Sequence, residues 1–385
     1  MVSFRHAYWF ILTILHIVAL PILVLLLLRE KYKQSIPARF FLFKNSKPQD
    51  CDLWLHGSSL GEIIALSPLI EQFKNRKIFV SSTTQTGFTK ANEYKVQRAY
   101  LPFETLLWFW VPRTKVLVVM EAELWLLLFS YAKIKGARTV LINARISDRS
   151  LKSYMRFRWL YKRIFAQIDT VFAQSDKDRE RLITLGAKNV TISGNIKLAQ
   201  TPQVKSKLEK PNSLIITAAS THKGEEERII EAYLRLGKGK LIVVPRHPER
   251  FNAVSKIMLR YANEAGKSFE RYSEGKSLHA DMILVDVMGE LNSIYAITDV
   301  TILGGAYEKI GGHNPLEPLH FKNRIISGEN IFNQRPLFDA MQNVHFSTLD
   351  NLDEVIEVSL NFPPASLKQE CNLNSIITAI EKGMQ

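Results

Sequence analysis

Short apolar runs recur along most of the chain and are separated by longer amphipathic stretches. This alternation is typical of a parallel β-sheet with helices on both faces. In the first half the apolar runs predict strands at 52–56, 77–82, 98–102, 115–120, 139–143 and 170–174. In the second half they predict strands at 214–219, 241–245, 282–286, 300–304 and 324–327.

A polar segment separates the two series of predicted strands. The chain is expected to leave the first sheet from about residue 190, and 201–211, which is bracketed by prolines, is predicted to be a linker. A chain of 385 residues is also too long for one ordinary core. We therefore predict two successive doubly wound α/β domains that face a cleft, with ligands at the carboxyl ends of the strands.

The N-terminal segment has a different pattern. Residues 8–28 form 21 residues without a formal charge, long enough at about 1.5 Å per residue to cross a hydrocarbon core of about 30 Å. Basic residues follow from Arg29, so the positive-inside rule places the short N-terminus outside and the remaining chain in the cytoplasm. His16 and Pro21 interrupt the stretch, and a helix that lies against the bilayer surface is the alternative. In both cases 1–33 is predicted to be a membrane anchor.

The net charge of +14 is unevenly distributed. Residues 1–200 contain 30 Lys and Arg against 14 Asp and Glu, whereas residues 201–385 contain 21 against 23. A nucleic acid, an anionic membrane surface or a phosphate-rich substrate could each explain a basic first half. Nucleic acid is disfavoured because the charges lack the interleaved aromatic residues of a single-strand channel. Cys51 and Cys371 have no metal-ligand spacing, so neither a disulfide framework nor a metal site is predicted.

In the first half, chemically suitable residues follow the predicted strands. In HGSSLGE, at 56–62, Ser58 and Ser59 are small enough to let a ligand approach the positive end of the next helix. Glu62 lies in the first turn of that helix and is either a partner of the helix dipole or a functional carboxylate. In MEAELW, at 120–125, Glu121 and Glu123 either cap a helix or help to deprotonate an acceptor hydroxyl.

Two basic features complete the first half. NARISDRS, at 143–150, leads into a helix whose residues Arg149, Arg156 and Arg158 are either a solvated face or a surface that binds phosphates. In GNIK, at 194–197, Lys197 is placed to reach into the predicted cleft.

The second half has four turns suited to a nucleotide. STHKGEEE, at 220–227, places hydroxyls near a helix start, and PRH places Arg246 and His247 where they can meet a phosphate or a sugar carboxylate. MGEL, at 288–291, starts another helix, and GGAYEKIGGHNPLEP, at 304–318, has paired glycines that allow close approach of the backbone. Glu317 is suited to accept hydrogen bonds from ribose hydroxyls. The dehydrogenase and P-loop fingerprints are absent.

Taken in order, these strings resemble the 3-deoxy-D-manno-octulosonic acid (Kdo) transferases of Gram-negative bacteria. The resemblance runs from about Trp54 to about Asn333, and GGHNPLEP and PRHPERF are its most specific parts. The other strings that carry it are WLHGSSLGE, SSTTQTG, YLPFE, MEAELW, NARISDRS, GNIK, STHKGEEE and MGEL.

The resemblance implies a GT-B fold and an inverting transfer of Kdo from CMP-Kdo to a tetraacylated, bisphosphorylated lipid A precursor at the inner membrane. It implies that 34–200 bind the acceptor and that 201–385 bind the donor. Glu62 would be the general base, and Glu121 and Lys197 would stabilise the transition state. CMP would be held by Arg246, His247, Met288, Gly289, Glu290, Asn314, Pro315, Leu316 and Glu317. No metal or other cofactor is expected, because GT-B enzymes usually stabilise the leaving group with protein charges.

Some positions depart from the family pattern. Ala199, Leu126 and Ala306 replace an aspartate, a proline and a serine, and Glu329 follows Gly328 where a proline is usual. None of these positions carries a proposed chemical role. Two alternatives remain open. One is a GT-B transferase that uses a UDP-sugar. The other is a basic, non-enzymatic module that binds a membrane surface or nucleic acid.

Overall fold

A computed structural model describes residues 2–199, 202–368 and 370–385. The described chain forms two compact units, residues 2–199 with 370–385 and residues 202–368. The predicted boundary between 200 and 201, and Thr201 as the first residue of the linker, lie outside the described residues.

The first unit is built on a parallel seven-stranded sheet in the order β3-β2-β1-β4-β5-β6-β7. This order extends the 3-2-1-4-5-6 arrangement of the Rossmann fold by one strand. The strands are β1 (Cys51–His56), β2 (Ile78–Ser82), β3 (Gln97–Tyr100), β4 (Thr114–Met120), β5 (Arg138–Ala144), β6 (Thr170–Ala173) and β7 (Val190–Ile192). The helices are α1 (Val2–Leu26), α2 (Ser35–Phe40), α3 (Leu60–Ala65), α4 (Ser67–Gln72), α5 (Gln85–Glu93), α6 (Leu107–Trp110), α7 (Leu126–Ile134), α8 (Asp148–Arg156), α9 (Arg158–Phe165) and α10 (Asp176–Thr184).

The second unit is built on another parallel seven-stranded sheet, in the order β10-β11-β9-β8-β12-β13-β15. The strands β14 and β16 form a separate two-stranded antiparallel sheet. The strands are β8 (Ile215–Thr221), β9 (Lys240–Pro245), β10 (Phe269–Arg271), β11 (Met282–Leu284), β12 (Val300–Leu303), β13 (Arg324–Ser327), β14 (Met341–Gln342), β15 (Val344–Phe346) and β16 (Ser366–Leu367). The helices are α11 (Glu225–Leu236), α12 (Phe251–Ala265), α13 (Tyr272–Gly275), α14 (Leu291–Tyr295), α15 (Leu316–His320), α16 (Arg335–Asp339) and α17 (Leu352–Ser359).

The predicted fold class is confirmed for both units, and every strand predicted from an apolar run is present. Apart from the edge strand β3, these runs form inner strands, which are largely buried on both faces of the sheet. The chain leaves the first sheet after Ile192, within the predicted range, but the strand β7, which pairs with β6, was not predicted. β10 and β15 also escaped prediction. All three are three-residue edge strands without a continuous buried run, so no apolar pattern marks them.

The last helix, α18 (Leu373–Met384), belongs to the first unit although the predicted second domain extended to 385. Ile376 and Ile380 are fully buried and join the apolar cluster beneath β1, β2 and β4. Gly383 fits because a Cβ atom there would lie 2.7 Å from a methyl group of Val116. After the second unit, the chain therefore returns to the first unit, and its last helix completes the core there.

Helix α1 is the one helix in the described chain that is long and apolar enough to cross a membrane, with a mean hydropathy of 2.6 over its most apolar window. One side of it contacts the first unit through polar groups. The Tyr8 hydroxyl donates to Glu104 Oε2 at 2.9 Å, and Trp9 Nε1 donates to the carbonyl oxygen of Thr105 at 2.8 Å. His16 Nδ1 lies 3.0 Å from Thr105 Oγ1. The other side exposes apolar side chains that include Phe10, Ile14 and Val18.

The place of α18 leads to a stability prediction. Ile380→Ala should lower the free energy of unfolding of the first unit by about 2–5 kcal/mol, because it leaves a cavity in a closed core. Tryptophan fluorescence during urea unfolding in detergent measures this, since all six tryptophans lie between residues 9 and 159. Exposed Glu381→Ala is the matched control. An unchanged tryptophan transition for Ile380→Ala would show that α18 does not stabilise the first unit.

Candidate functional site

Turns that follow adjacent parallel strands meet at one edge of a sheet. In the first unit, β1 lies between β2 and β4, so the HGSSLGE turn after β1 adjoins the MEAELW turn after β4. In the second unit, β8 lies between β9 and β12, which brings the STHKGEEE turn beside the PRH and GGAY turns. Both positions are topological switch points, where successive connections leave in opposite directions and where open α/β sheets bind ligands.

Glu62 is held in one orientation at the start of α3. Its carboxylate accepts hydrogen bonds from the Ser58 backbone N–H at 2.8 Å and from the Ser58 and Ser59 hydroxyls, both at 2.9 Å. In return, Ser59 Oγ caps the helix by accepting from the Glu62 N–H. This reciprocal arrangement is a capping box, which explains why Glu62 is buried without a cation beside it. The two serines, predicted to contact the acceptor, thus orient Glu62.

Glu121 and Lys197 come together at the same sheet edge. Lys197 Nζ lies 2.7 Å from Glu121 Oε1, and Asn143 Nδ2 donates to the same oxygen at 3.3 Å. The Asn143 side chain also accepts from the Ile196 N–H at 3.0 Å, so it ties the 3₁₀ turn that carries Lys197 to the end of β5. Glu121 and Asn143 both have a positive φ, near 52° and 55°. Non-glycine residues in this region are uncommon and are concentrated at functional sites.

The buried His56 lies beside the partly buried Glu123, a pairing that the sequence patterns did not predict. Nδ1 of His56 bonds with Ser81 Oγ at 2.9 Å, whereas its Nε2 has no hydrogen-bond partner among the described residues and lies 3.9 Å from Glu123 Oε2. Burial raises the pKa of Glu123, but His56 and the hydrogen bond from Trp125 lower it to about 2. Glu123 is therefore a fixed negative charge. The motif MEAELW marked the residue, but only the fold shows its neighbour His56.

The three arginines predicted to bind phosphate are exposed on α8 and α9. Arg149 and Arg156 lie on α8, which buries none of its side chains. Arg158 Nε donates to the Thr184 carbonyl at 2.6 Å, so this arginine is directed toward the end of α10. Apolar side chains are exposed beside them, with Phe157 at 48% and Trp159 at 52%. This surface combines positive charge with aromatic groups, which suits an anionic lipid surface.

In the second unit, three of the predicted motifs meet through histidines. His222 Nε2 of STHKGEEE lies 2.8 Å from His313 Nε2 of GGHNPLEP, and the two rings are stacked. His247 of PRH packs edge-on against His222, with 5.3 Å between the ring centroids. Burial, with the positive charge of nearby Arg246, lowers the pKa of His313 to about 4. His222 and His313 were not among the predicted site residues, although both lie inside predicted motifs.

The start of α15 lies next to these histidines. The Asn314 side chain accepts from the Leu316 N–H at 3.1 Å, beside Pro315, the residue that precedes α15. Burial raises the pKa of Glu317, and the charge of Arg246 lowers it in part. The turns that carry PRH and GGHNPLEP meet through His222, which contacts both His247 and His313.

The MGE turn, which was predicted to hold CMP, makes contacts within the second unit. Gly289 has a φ of 86°, which allows the tight turn before α14. Met288 is exposed, but Glu290 is buried and accepts a hydrogen bond from the Ser206 hydroxyl at 3.0 Å. Its second carboxylate oxygen is buried without a partner. Glu290 therefore fixes part of the predicted linker to the second unit.

Within the described ranges 2–199, 202–368 and 370–385, no group of three or more His, Cys, Asp or Glu side chains could hold a metal ion. Cys51 and Cys371 are both free thiols.

Comparisons with known proteins agree with the motif resemblance. Residues 34–200 match the family described as 3-deoxy-D-manno-octulosonic-acid transferase (kdotransferase). The chain is 32% identical over 365 residues to the 3-deoxy-D-manno-octulosonic acid transferase of Haemophilus influenzae, which covers 86% of this chain and 84% of that protein. It is 29% identical to the enzyme of the same name from Bordetella pertussis, over 74% of this chain and 73% of that one.

Among solved structures, the chain is similar to the C-terminal CMP-Kdo binding domain of WaaA from Acinetobacter baumannii. The sequence identity is 31%, the TM-score is 0.34, and the match covers 45% of this chain and 86% of that domain. The identity to the Haemophilus influenzae protein, in contrast, extends over most of both chains. The protein is a glycosyltransferase and belongs to the 3-deoxy-D-manno-octulosonic acid (Kdo) transferase family.

Proposed function

We propose that this enzyme transfers Kdo from CMP-Kdo to a phosphorylated lipid A precursor, with inversion at the anomeric carbon and with Glu62 as the general base. Membership of the Kdo transferase family supports the donor sugar. The observation that carries the mechanism is the orientation of Glu62, which three hydrogen-bond donors hold at the switch point of the first sheet.

An inverting transfer is a single displacement and needs one base. The carboxylate takes the proton from the acceptor hydroxyl while the hydroxyl oxygen attacks the anomeric carbon of Kdo. The bond from that carbon to the CMP phosphate oxygen breaks in the same step, and CMP leaves with the bonding electrons. A carboxylate fixed by Ser58 and Ser59 needs no reorganisation at the moment of attack, which lowers the barrier.

The remaining charged groups have separate tasks in this proposal. Lys197, positioned by Glu121, supplies a positive charge at the edge where charge develops during transfer. Arg246 and His247, with the α15 start from Asn314 to Glu317, bind the cytidylate, and Met288 to Glu290 shape the turn beside it. Arg149 and Arg156 on exposed α8 meet the phosphates of the acceptor. No step requires a metal.

The general base is tested by Glu62→Gln. Transfer should fall by about 10²–10⁴-fold, because the amide cannot accept the proton, whereas CMP affinity should stay unchanged. The measurements are mass spectrometry of the lipid after incubation with CMP-Kdo, and calorimetry with CMP and UDP. The control is Glu71→Gln, an exposed glutamate on neighbouring α4 that pairs only with Lys74.

The outcomes separate the parts of the proposal. Full activity of Glu62→Gln would show that another group is the base. Tight UDP binding without CMP binding in the wild-type protein would favour a UDP-sugar transferase instead. A product whose mass lacks a Kdo increment on the lipid would exclude the proposed acceptor.

We further propose that α1 attaches the enzyme to the inner membrane by lying along its cytoplasmic surface. Tyr8, Trp9 and His16 bind the first unit, which ties α1 down as far as residue 16. The apolar residues of α1 that follow, 17–26, span about 15 Å at about 1.5 Å per residue, less than the core thickness of about 30 Å. These contacts favour the surface arrangement over the spanning one, and the exposed apolar side of α1 then enters the lipid.

Cysteine labelling tests this arrangement. His6→Cys should react with a membrane-impermeant maleimide in inverted inner-membrane vesicles and not in spheroplasts, since the N-terminus then stays on the cytoplasmic side. Lys74→Cys, at an exposed position shortly after α4, is the control for the side that faces the cytoplasm. Labelling of residue 6 from the periplasm would show that α1 spans the membrane.

A further inference from the structure

Three consecutive glutamates begin α11, and they have very different surroundings. Glu225 and Glu226 are 0% and 1% exposed, whereas the Glu227 side chain is 46% exposed and pairs with Arg260 on α12. A favourable interaction with the helix dipole would account for exposed carboxylates in a first turn, but not for burial of two of them. Each buried carboxylate must therefore have partners that offset the loss of water.

Glu226 is neutralised by a cation. Its carboxylate binds both terminal nitrogens of Arg250, with Nη2 at 2.9 Å from Oε2, and accepts from the Thr221 hydroxyl at 2.9 Å. Arg250 ends the 3₁₀ turn that follows Arg246 and His247. Glu226 thus connects the turn after β9 to the turn after β8.

Among the described residues, Glu225 forms no ion pair and is held by backbone donors. It accepts hydrogen bonds from the His222 N–H at 2.8 Å and from the Gly305 N–H at 2.8 and 3.1 Å. The first donor belongs to the turn after β8, and the second belongs to the turn after β12. The carboxylate therefore connects two separate turns at the switch point of the second sheet.

The paired glycines of GGAY are required by this connection. A Cβ atom on Gly304 would lie 2.6 Å from the Ser220 carbonyl oxygen and 2.8 Å from Glu225 Oε2. Gly305 has a φ of 70°, and a Cβ atom there would lie 3.0 Å from the His313 ring. The sequence suggested that these glycines let the backbone approach a ligand, but the group they approach is Glu225.

The contact between Glu225 and Gly305 also positions the pair formed by His222 and His313. The Gly312 N–H donates to the Gly305 carbonyl at 2.8 Å, so the position of Gly305 determines where the following loop returns. That loop carries His313, which then faces His222 at 2.8 Å. One carboxylate thus fixes the backbone at His222 and, through Gly305, the ring of His313.

We propose that Glu225 is a positioning residue of the donor site, whose ionised carboxylate holds the turns after β8 and β12 together so that His222, His313 and Arg246 face the anionic part of the donor. This inference rests on the proposed function for the identity of the donor. Glu225 does not touch the donor and acts through the two turns.

The ionised carboxylate accepts hydrogen bonds from the His222 and Gly305 N–H groups, so protonation should loosen the two turns. Burial raises the pKa of Glu225 to about 7, and the backbone donors counteract this only in part. Donor affinity should consequently fall as the pH decreases from 8 to 6. The charged and titratable groups around Glu225 and its two turns are Glu226, Arg250, His222, Tyr307, His313, Arg246 and His247.

The direction in which donor affinity changes with pH distinguishes protonation of Glu225 from protonation of the histidines. Protonation of His222 or His313 would strengthen the binding of an anion at acid pH, whereas protonation of Glu225 weakens it. Glu226 is paired with Arg250 and contributes no such change. The nucleotide phosphate itself titrates with a pKa of about 6. This titration is common to all variants and cancels when they are compared.

The test is calorimetry with CMP at pH 8 and pH 6 on the wild-type chain, Glu225→Gln, Glu225→Asp and Glu227→Gln. At pH 8, Glu225→Gln should weaken CMP binding about tenfold or more and raise the KM for CMP-Kdo, while the KM for the lipid acceptor stays unchanged. Its remaining pH dependence should be smaller than that of the wild-type chain. Glu225→Asp should restore part of the affinity, and Glu227→Gln should match the wild-type chain.

Several results would overturn the inference. One is wild-type affinity for Glu225→Gln at both pH values, and another is equal losses for Glu225→Gln and Glu227→Gln. A parallel rise in the KM for both substrates together with a large fall in Tm would show a general structural role instead. If the wild-type chain binds UDP and not CMP, the donor assignment fails, and the same series with UDP still measures the effect of Glu225.

Discussion

A carboxylate can leave water only where hydrogen-bond donors or a cation replace the lost solvation, and this constraint organises both units. Glu62 meets it with a backbone N–H and two serine hydroxyls, Glu225 with two backbone N–H groups, and Glu226 with Arg250. Glu104 meets it with the Leu127 N–H and the Tyr8 hydroxyl. Each set of donors comes from a turn or helix end that the carboxylate then fixes in place.

Six strands of each sheet follow the same order, and Glu62 and Glu225 lie at the corresponding switch points. At a switch point, the first turns of two neighbouring connections lie close together, and a side chain on one can bind the backbone of the other. In the second unit Glu225 does this across β8 and β12. In the first unit Asn143 does it across β5 and the turn that carries Lys197. Buried acceptors thus convert loops, which are otherwise the mobile part of an α/β fold, into rigid supports for reactive groups.

The first unit is also where the features suited to a membrane are concentrated. It contains the excess positive charge, all six tryptophans and the exposed apolar side of α1. Trp159 and Phe157 lie exposed beside the arginines of α8 and α9, and Trp108 is exposed on α6. In the proposed function, transfer to a phosphorylated lipid needs such a surface on the unit that holds Glu62, the proposed base. The second unit, with a nearly balanced charge, fits a soluble nucleotide sugar.

The sequence by itself determined the fold class, the central strands of both sheets and the turns that carry chemistry. Central parallel strands are buried on both faces, so a short apolar run identifies them without knowledge of their neighbours. Glu62, Glu121 and Lys197 were selected from the motifs, and the structure brings Glu121 and Lys197 into contact. The capping of Glu62 is a relation between residues three and four apart, which a sequence displays directly.

Only the tertiary structure decided which distant groups become partners. The edge strands β7, β10 and β15 are too short and too exposed to leave an apolar pattern, and α18 has an amphipathic pattern that fits either unit. The contacts of His56 with Glu123, of Glu225 with Gly305 and of Tyr8 with Glu104 join residues from 67 to 96 positions apart. The local periodicity of a sequence indicates which face of a helix or strand is buried, but not which other element that face packs against. For this reason the sequence could name the candidate site residues, whereas the packing of the strands determined how their charges are held.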